Sequence, residues 1–165
     1  PAMSVGFAVS ALVGQNQGAG KLHRVAEIVK WSTILAGSIT LIASLVALFK
    51  PSILLVLFTS DPHVIEAGSI YLSYMGFAYV PMALMFTLGG VFRGSGDTMA
   101  TMILTLLSLW LFRVPAARYL SSLPQLGVRG VWIAIAISPI AGLLLHFLYY
   151  RSGKWKSKGV VRKTG

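Results

Sequence analysis

Cysteine is absent from the 165 residues, and carboxylates nearly so: two Asp and two Glu stand against 14 Lys and Arg. Without cysteine no disulfide staples the chain and no thiolate serves as nucleophile or metal ligand, and the redox compartment stays open. Glu27, Asp61, Glu66 and Asp97 all fall at or near the ends of long apolar runs. A proton or sodium relay normally uses an intramembrane carboxylate, and this chain offers none deep in a run. There is no His-x-x-x-His, no cluster of His and Cys ligands and no paired acid dyad. Gly20-Lys21 fails as a phosphate loop, because Gln15 stands where the earlier glycine belongs and Leu22 where the magnesium-binding hydroxyl belongs. Gly94-Ser95-Gly96 is followed three residues on by Met99, so the dinucleotide fingerprint fails too. Neither a catalytic residue, a metal nor a cofactor is expected.

Apolar residues fill the space these absences leave. Hydrophobic residues make up 56% and charged residues 11% of the chain, and the mean hydropathy is +0.78, whereas a soluble domain carries about 25% charged residues. Trp31 to Phe49, Ala67 to Phe92, Thr98 to Phe112 and Gly130 to Tyr150 contain no Asp, Glu, Lys or Arg. A bilayer span takes roughly 20 apolar residues. Three runs qualify unaided; the Thr98 run qualifies if it continues to about Leu120, with Arg113 and Arg118 snorkelling towards an interface. Residues 1 to 14 are apolar but too few, and are read as the end of a helix whose start is missing. The expectation is an all-α integral membrane bundle, residues 1–150, with spans at about 1–14 (partial), 29–50, 64–90, 98–120 and 130–150, followed by a basic tail, 151–165. The chain is taken as a fragment; a complete small membrane protein is the alternative.

Lysine and arginine collect in the cytoplasmic loops of membrane proteins. If successive connections alternate sides, one face holds Lys21, Arg24, Lys30, Arg93 and the tail cations Arg151, Lys154, Lys156, Lys158, Arg162 and Lys163, and the other only Lys50, Arg113, Arg118 and Arg129. The first face and the tail are therefore expected in the cytoplasm. A net charge of +10 invites a nucleic-acid partner, but these cations are dispersed among membrane loops. In the tail, Lys154-Trp155-Lys156-Ser157-Lys158 pairs Trp with Lys as a lipid headgroup boundary does. The bilayer, not a nucleic acid, is the expected partner.

Glycine spacing repeats where apolar runs end: Gly14, Gly18 and Gly20 recur as Gly90, Gly94 and Gly96. A glycine in the left-handed conformation closes a helix cheaply, and a second lets the chain turn, so both segments are read as hairpin corners. Small residues stack at helical spacing in two runs, as Thr33, Gly37, Thr40, Ser44 and Ala47 and as Gly130, Ala134, Ser138 and Ala141. Such stripes let helices approach closely in lipid. Pro139 should bend the last span, and His146 is expected to be a hydrogen-bonded packing residue. Asp61 followed by Pro62 reads as an N-cap. The run beyond it carries Tyr71, Tyr74, Met75, Phe77, Tyr79, Met82, Met85 and Phe86 around Pro81. Aromatic and thioether groups suit loosely specified apolar cations, which makes Tyr71, Tyr74, Phe77, Met82 and Met85 the candidate cavity face. Tyr71, Tyr74, Met82 and Met85 are expected roughly on one side.

In order along the chain stand Gly14-Gln15-Asn16-Gln17-Gly18-Ala19-Gly20-Lys21, Phe58-Thr59-Ser60-Asp61-Pro62, Arg93-Gly94-Ser95-Gly96-Asp97-Thr98, Arg113-Val114-Pro115 and Gly127-Val128-Arg129-Gly130-Val131-Trp132. Across nearly the whole chain this order resembles the multidrug and toxic compound extrusion (MATE) family. The resemblance implies a twelve-helix antiporter of two six-helix lobes that exports amphipathic, often cationic compounds against a sodium or proton gradient across the plasma membrane. It places the chain in the later part of the second lobe, from the end of the eighth helix onward, with the first lobe as the other placement.

On that template Gly14, Gln15, Gly18 and Gly20 form one cytoplasmic corner and Arg93, Gly94, Gly96, Asp97 and Thr98 another. Arg93 and Asp97 are near enough in sequence to pair, and Asp97 is positioned to cap the helix starting near Met99. Some family members place a coupling carboxylate in the tenth helix; Ala67 to Phe92 has none, so the ion site is expected outside this chain. A small-molecule substrate, lipid and the remaining transporter helices are the implied partners. A lipid-linked sugar flippase of similar architecture and a non-transporting membrane scaffold are the alternatives.

Overall fold

The computed structural model describes residues 2–158; the tail cations Arg162 and Lys163 lie outside the described residues. Helices follow one another with short connections: α1 (Ala2–Gly18), α2 (Leu22–Phe49), a short α3 (Pro51–Val56), α4 (Pro62–Gly94), α5 (Thr98–Ser122), α6 (Val128–Ser152) and a 3-10 turn, Lys154–Lys158. Among the described residues there is no strand. Four helices, α2, α4, α5 and α6, are long and apolar enough to cross a membrane. At 33 residues, α4 is about 50 Å long, well beyond a hydrocarbon core of about 30 Å.

Local chemistry explains the boundaries. Asp61 does cap α4: its carboxylate accepts the His63 N–H at 2.9 Å, and Pro62 occupies the first turn, where a missing N–H costs nothing. Pro51 starts α3 in the same way, a helix too short for hydropathy to announce. Within α5, Leu107–Arg113 widens into a π segment. Pro115 has no N–H and its ring crowds the carbonyl four residues back, so the helix loosens ahead of it, and the Val114 N–H bonds to Leu109, five residues back.

Small residues set the crossings. Thr40, Ser44 and Ala47 are buried in α2, and the Ser44 hydroxyl donates to the Gly76 carbonyl of α4. A Cβ on Gly76 would lie 2.7 Å from the Leu48 side chain. Gly37, from the same stripe, has open space beside it. In α6, Gly130, Ala134 and Ser138 are buried, but burial then passes to Gly142 rather than Ala141. Gly142 marks the meeting of three helices: a Cβ there would stand 2.7 Å from Met85 Sδ of α4 and 2.8 Å from Ser108 Oγ of α5. Pro139 leaves the Ile135 carbonyl without its helical donor, and the Ser138 hydroxyl takes it at 3.1 Å. The outer surface carries large apolar side chains such as Phe49, Trp110 and Leu148, each exposed by 65% or more, as lipid-facing or helix-facing positions require.

Candidate functional site

Both corners close by one hydrogen-bond pattern. The Ala19, Gly20 and Lys21 N–H groups donate to Gln15, Gln17 and Asn16 at 3.1, 3.0 and 2.8 Å. Ser95, Gly96 and Asp97 donate to Val91, Arg93 and Phe92 at 2.9, 3.0 and 2.8 Å. This is the Schellman arrangement, with Gly20 (φ 72°) and Gly96 (φ 81°) in the left-handed region. Only the third glycine of each trio does the turning. Gly14 and Gly18 remain inside α1, and Gly90 and Gly94 inside α4. Gly90 and Gly94 instead admit α1: a Cβ on either would overlap the carbonyl of Gly6 or Ser10, and one on Gly14 would come 3.2 Å from the Gly94 carbonyl. At the second corner the glycines therefore serve a cap and a helix crossing together, whereas at the first only Gly14 approaches the crossing and Gly18 is exposed.

Side chains at the second corner depart from expectation. Arg93 and Asp97 are turned to different partners. The Asp97 carboxylate accepts a hydrogen bond from the Tyr149 hydroxyl of α6 and makes no cap bond to α5, which begins at Thr98. Arg93 reaches towards α1, its guanidinium 5.9 Å from the centre of the Phe7 ring; its Nε is buried without a hydrogen-bond partner among the described residues. Phe92 fills the space between, edge-on to Tyr149 at 5.0 Å and stacked on His146 at 5.8 Å. His146, 1% exposed, donates from Nδ1 to the Gly142 carbonyl at 2.8 Å, a packing role.

The 154–158 turn returns to this end. Trp155 is 2% exposed and packs with Val9, Val13, Val25, Leu88, Val91 and Phe92. It stacks on Tyr150 at 5.5 Å, and its indole N–H donates to the Tyr150 carbonyl at 3.0 Å. Gln17 Nε2 donates to the Lys156 carbonyl at 3.2 Å. The expected boundary tryptophan is thus a core residue that ties both corners to α6. A tryptophan beside a lysine does occur in the open at Trp31, 65% exposed, with the Lys30 ammonium 5.4 Å from its ring centre.

The candidate cavity residues divide among four surroundings. Tyr71 and Tyr74 both meet Trp132 of α6, at 6.1 Å between ring centres. Phe77 is 65% exposed. Met85 packs towards Gly142. Met82 lines an apolar groove of about 520 Å³ with Tyr79 and Phe86 of α4, Thr40 and Ala43 of α2, and Met3 of α1. Trp132, Tyr79 and Phe86 complete these surfaces. Tyr79 and Phe86 lie three residues before and four after Met82, a helical spacing visible in the sequence; Trp132 had no such signal, since it comes from another helix. Arg113, expected to snorkel, turns inward, its Nε donating to the Ser138 hydroxyl at 2.7 Å.

Residues 1–120 match the profile of the MatE family. The chain belongs to the MatE family. Over 163 residues it is 31% identical to the probable multidrug resistance protein NorM of Thermotoga maritima, covering 99% of this chain and 35% of that protein. It is 33% identical to the probable multidrug resistance protein YpnP of Bacillus subtilis over 157 residues, 95% of this chain and 35% of that one. The chain thus spans about a third of the length of these MatE relatives. Its fold is similar to the crystal structure of the eukaryotic MATE transporter AtDTX14, with a TM-score of 0.84 and 24% identity, over 95% of this chain and 35% of that one. The MatE assignment carries the membrane bundle with it.

Proposed function

We propose that this chain is the later part of the second lobe of a secondary antiporter that exports amphipathic, cationic compounds, exchanging them for sodium or protons by rocking of one lobe against the other. The observation that carries the proposal is the groove of about 520 Å³ lined by Met3, Tyr79, Met82 and Phe86. Thioethers adapt to ligands of varied shape, and aromatic faces attract cations without demanding one geometry. The names of the relatives as multidrug resistance proteins point the same way. Pro81, beside Met82, removes one backbone donor from within the continuous helix α4. The coupling carboxylate lies in helices outside this chain, the protein sits in the cell membrane, and both glycine corners and the tail face the cytoplasm. The full-length protein, expressed in cells lacking their own exporters, should lower accumulation of a cationic dye in an energy-dependent way. Unchanged accumulation at normal membrane abundance would overturn the proposal.

A further inference from the structure

A second concavity, of about 430 Å³, opens between α1 and α2 at the corner end, away from the groove around Met82. Leu12 and Asn16 of α1 face Arg24, Glu27, Ile28 and Trp31 of α2 across it. Its composition is unlike that of the apolar groove. One cation and one carboxylate stand three residues apart on one helix, about 5 to 6 Å between their Cβ atoms, over an apolar floor. Asn16 Nδ2 is committed to the Leu12 carbonyl at 2.8 Å, which leaves its Oδ1 as an acceptor. The site thus offers one positive group, one negative group and an amide oxygen, and its net charge is zero.

Depth narrows the ligand. Trp31, with Lys30 beside its ring, is the exposed tryptophan and lysine pair expected at a headgroup boundary. From Trp31 an exposed apolar stripe runs on through Leu35 (55%), Ile39 (40%), which reaches the edge of the groove around Met82, and Ile42 (66%). Eleven residues at 1.5 Å rise give about 16 Å, close to half of a hydrocarbon core of about 30 Å and therefore to one leaflet. A polar pocket at the headgroup level that continues into a stripe one leaflet long matches a phospholipid.

We propose that the cleft between α1 and α2 binds the headgroup of a zwitterionic phospholipid bearing a primary ammonium. Arg24 takes the phosphodiester, Glu27 and Asn16 Oδ1 take the ammonium hydrogens, and an acyl chain follows the Trp31 to Ile42 stripe. A choline headgroup has no N–H to donate, and a glycerol headgroup leaves Glu27 facing an anion without a cation. The preference is ethanolamine over choline over glycerol.

The test uses the purified, delipidated full-length protein, offered phosphatidylethanolamine, phosphatidylcholine and phosphatidylglycerol in equal amounts, with retained lipid read by native mass spectrometry. Phosphatidylethanolamine should be retained several-fold over phosphatidylglycerol. Glu27→Lys should reverse that order, Glu27→Gln should abolish the discrimination between ethanolamine and choline, and Arg24→Ala should weaken retention of all three. Equal retention of the three lipids by the unmodified protein would overturn the proposal, as would an unchanged order in Glu27→Lys. Both side chains are exposed, so these variants fold, and a matching melting temperature verifies it. Lipid order is read without transport, so its failure leaves the export proposal standing, and the reverse.

Discussion

At Gly20 and at Gly96 the backbone does the same thing, and around them almost nothing is the same. Gly20 and Lys21 are exposed, and no side chain closes over them. At the second corner Ser95 is 1% and Asp97 7% exposed, with Tyr149 bonded to the carboxylate. In the trio preceding the turn, Gly94 carries the crossing with α1, while its counterpart Gly18 is exposed. A repeated motif therefore fixes a repeated cap and leaves packing to the neighbours. The second corner is a sealed joint of three helices; at the first, Gly18, Gly20 and Lys21 stay exposed.

The contrast is broken most severely by removing the support that both corners share. Trp155→Ala in the full-length protein should cost about 3 to 5 kcal/mol, the usual range for emptying a buried tryptophan site, whereas exposed Trp31→Ala should stay within about 0.5 kcal/mol; thermal unfolding in one detergent compares them. Next come the paired glycines. Gly94→Ala forces a Cβ onto the Ser10 carbonyl and should destabilise by about 1 to 3 kcal/mol, while Gly18→Ala should be neutral or stabilise by up to about 1 kcal/mol, since alanine is the better helix former. Like signs for the two would erase the distinction. Tyr149→Phe leaves the buried Asp97 carboxylate short of its donor, a loss of about 1 to 3 kcal/mol; Lys21→Ala, at the matching position of the first corner, should move the midpoint hardly at all. The smallest and most discriminating effect is one of equality. Gly20→Ala and Gly96→Ala both place a Cβ at positive φ, and each should cost about 1 to 2 kcal/mol. A clearly larger loss at Gly96 would mean that the sealed corner depends on more than its cap.

Much of this is legible in the amino-acid sequence alone. Uncharged runs locate α2, α4, α5 and α6, because length and hydropathy mark a helix able to cross a bilayer. The Asp61-Pro62 cap and the glycine caps were equally plain, being local chemistry. What stayed hidden was everything that depends on a second helix. Hydropathy cannot distinguish a tryptophan facing lipid from one facing protein, so Trp155 read as an interface residue and lies in the core instead. Sequence proximity pairs Asp97 with Arg93, whereas its partner Tyr149 is on another helix. The π segment before Pro115 escaped notice because hydrophobic periodicity does not register one widened turn. Helical angle groups Tyr71, Tyr74, Met82 and Met85, but helices that touch α4 on different sides divide them.

The export proposal stands or falls on the groove. Dye efflux by the full-length protein should be measured for Met82→Ala and Tyr79→Ala beside the unmodified protein and the exposed variant Phe77→Ala, at matched membrane abundance. Efflux lost in the first two and kept in the third is the predicted result. Efflux unchanged in Met82→Ala and Tyr79→Ala would contradict it and move the substrate path off this face of α4.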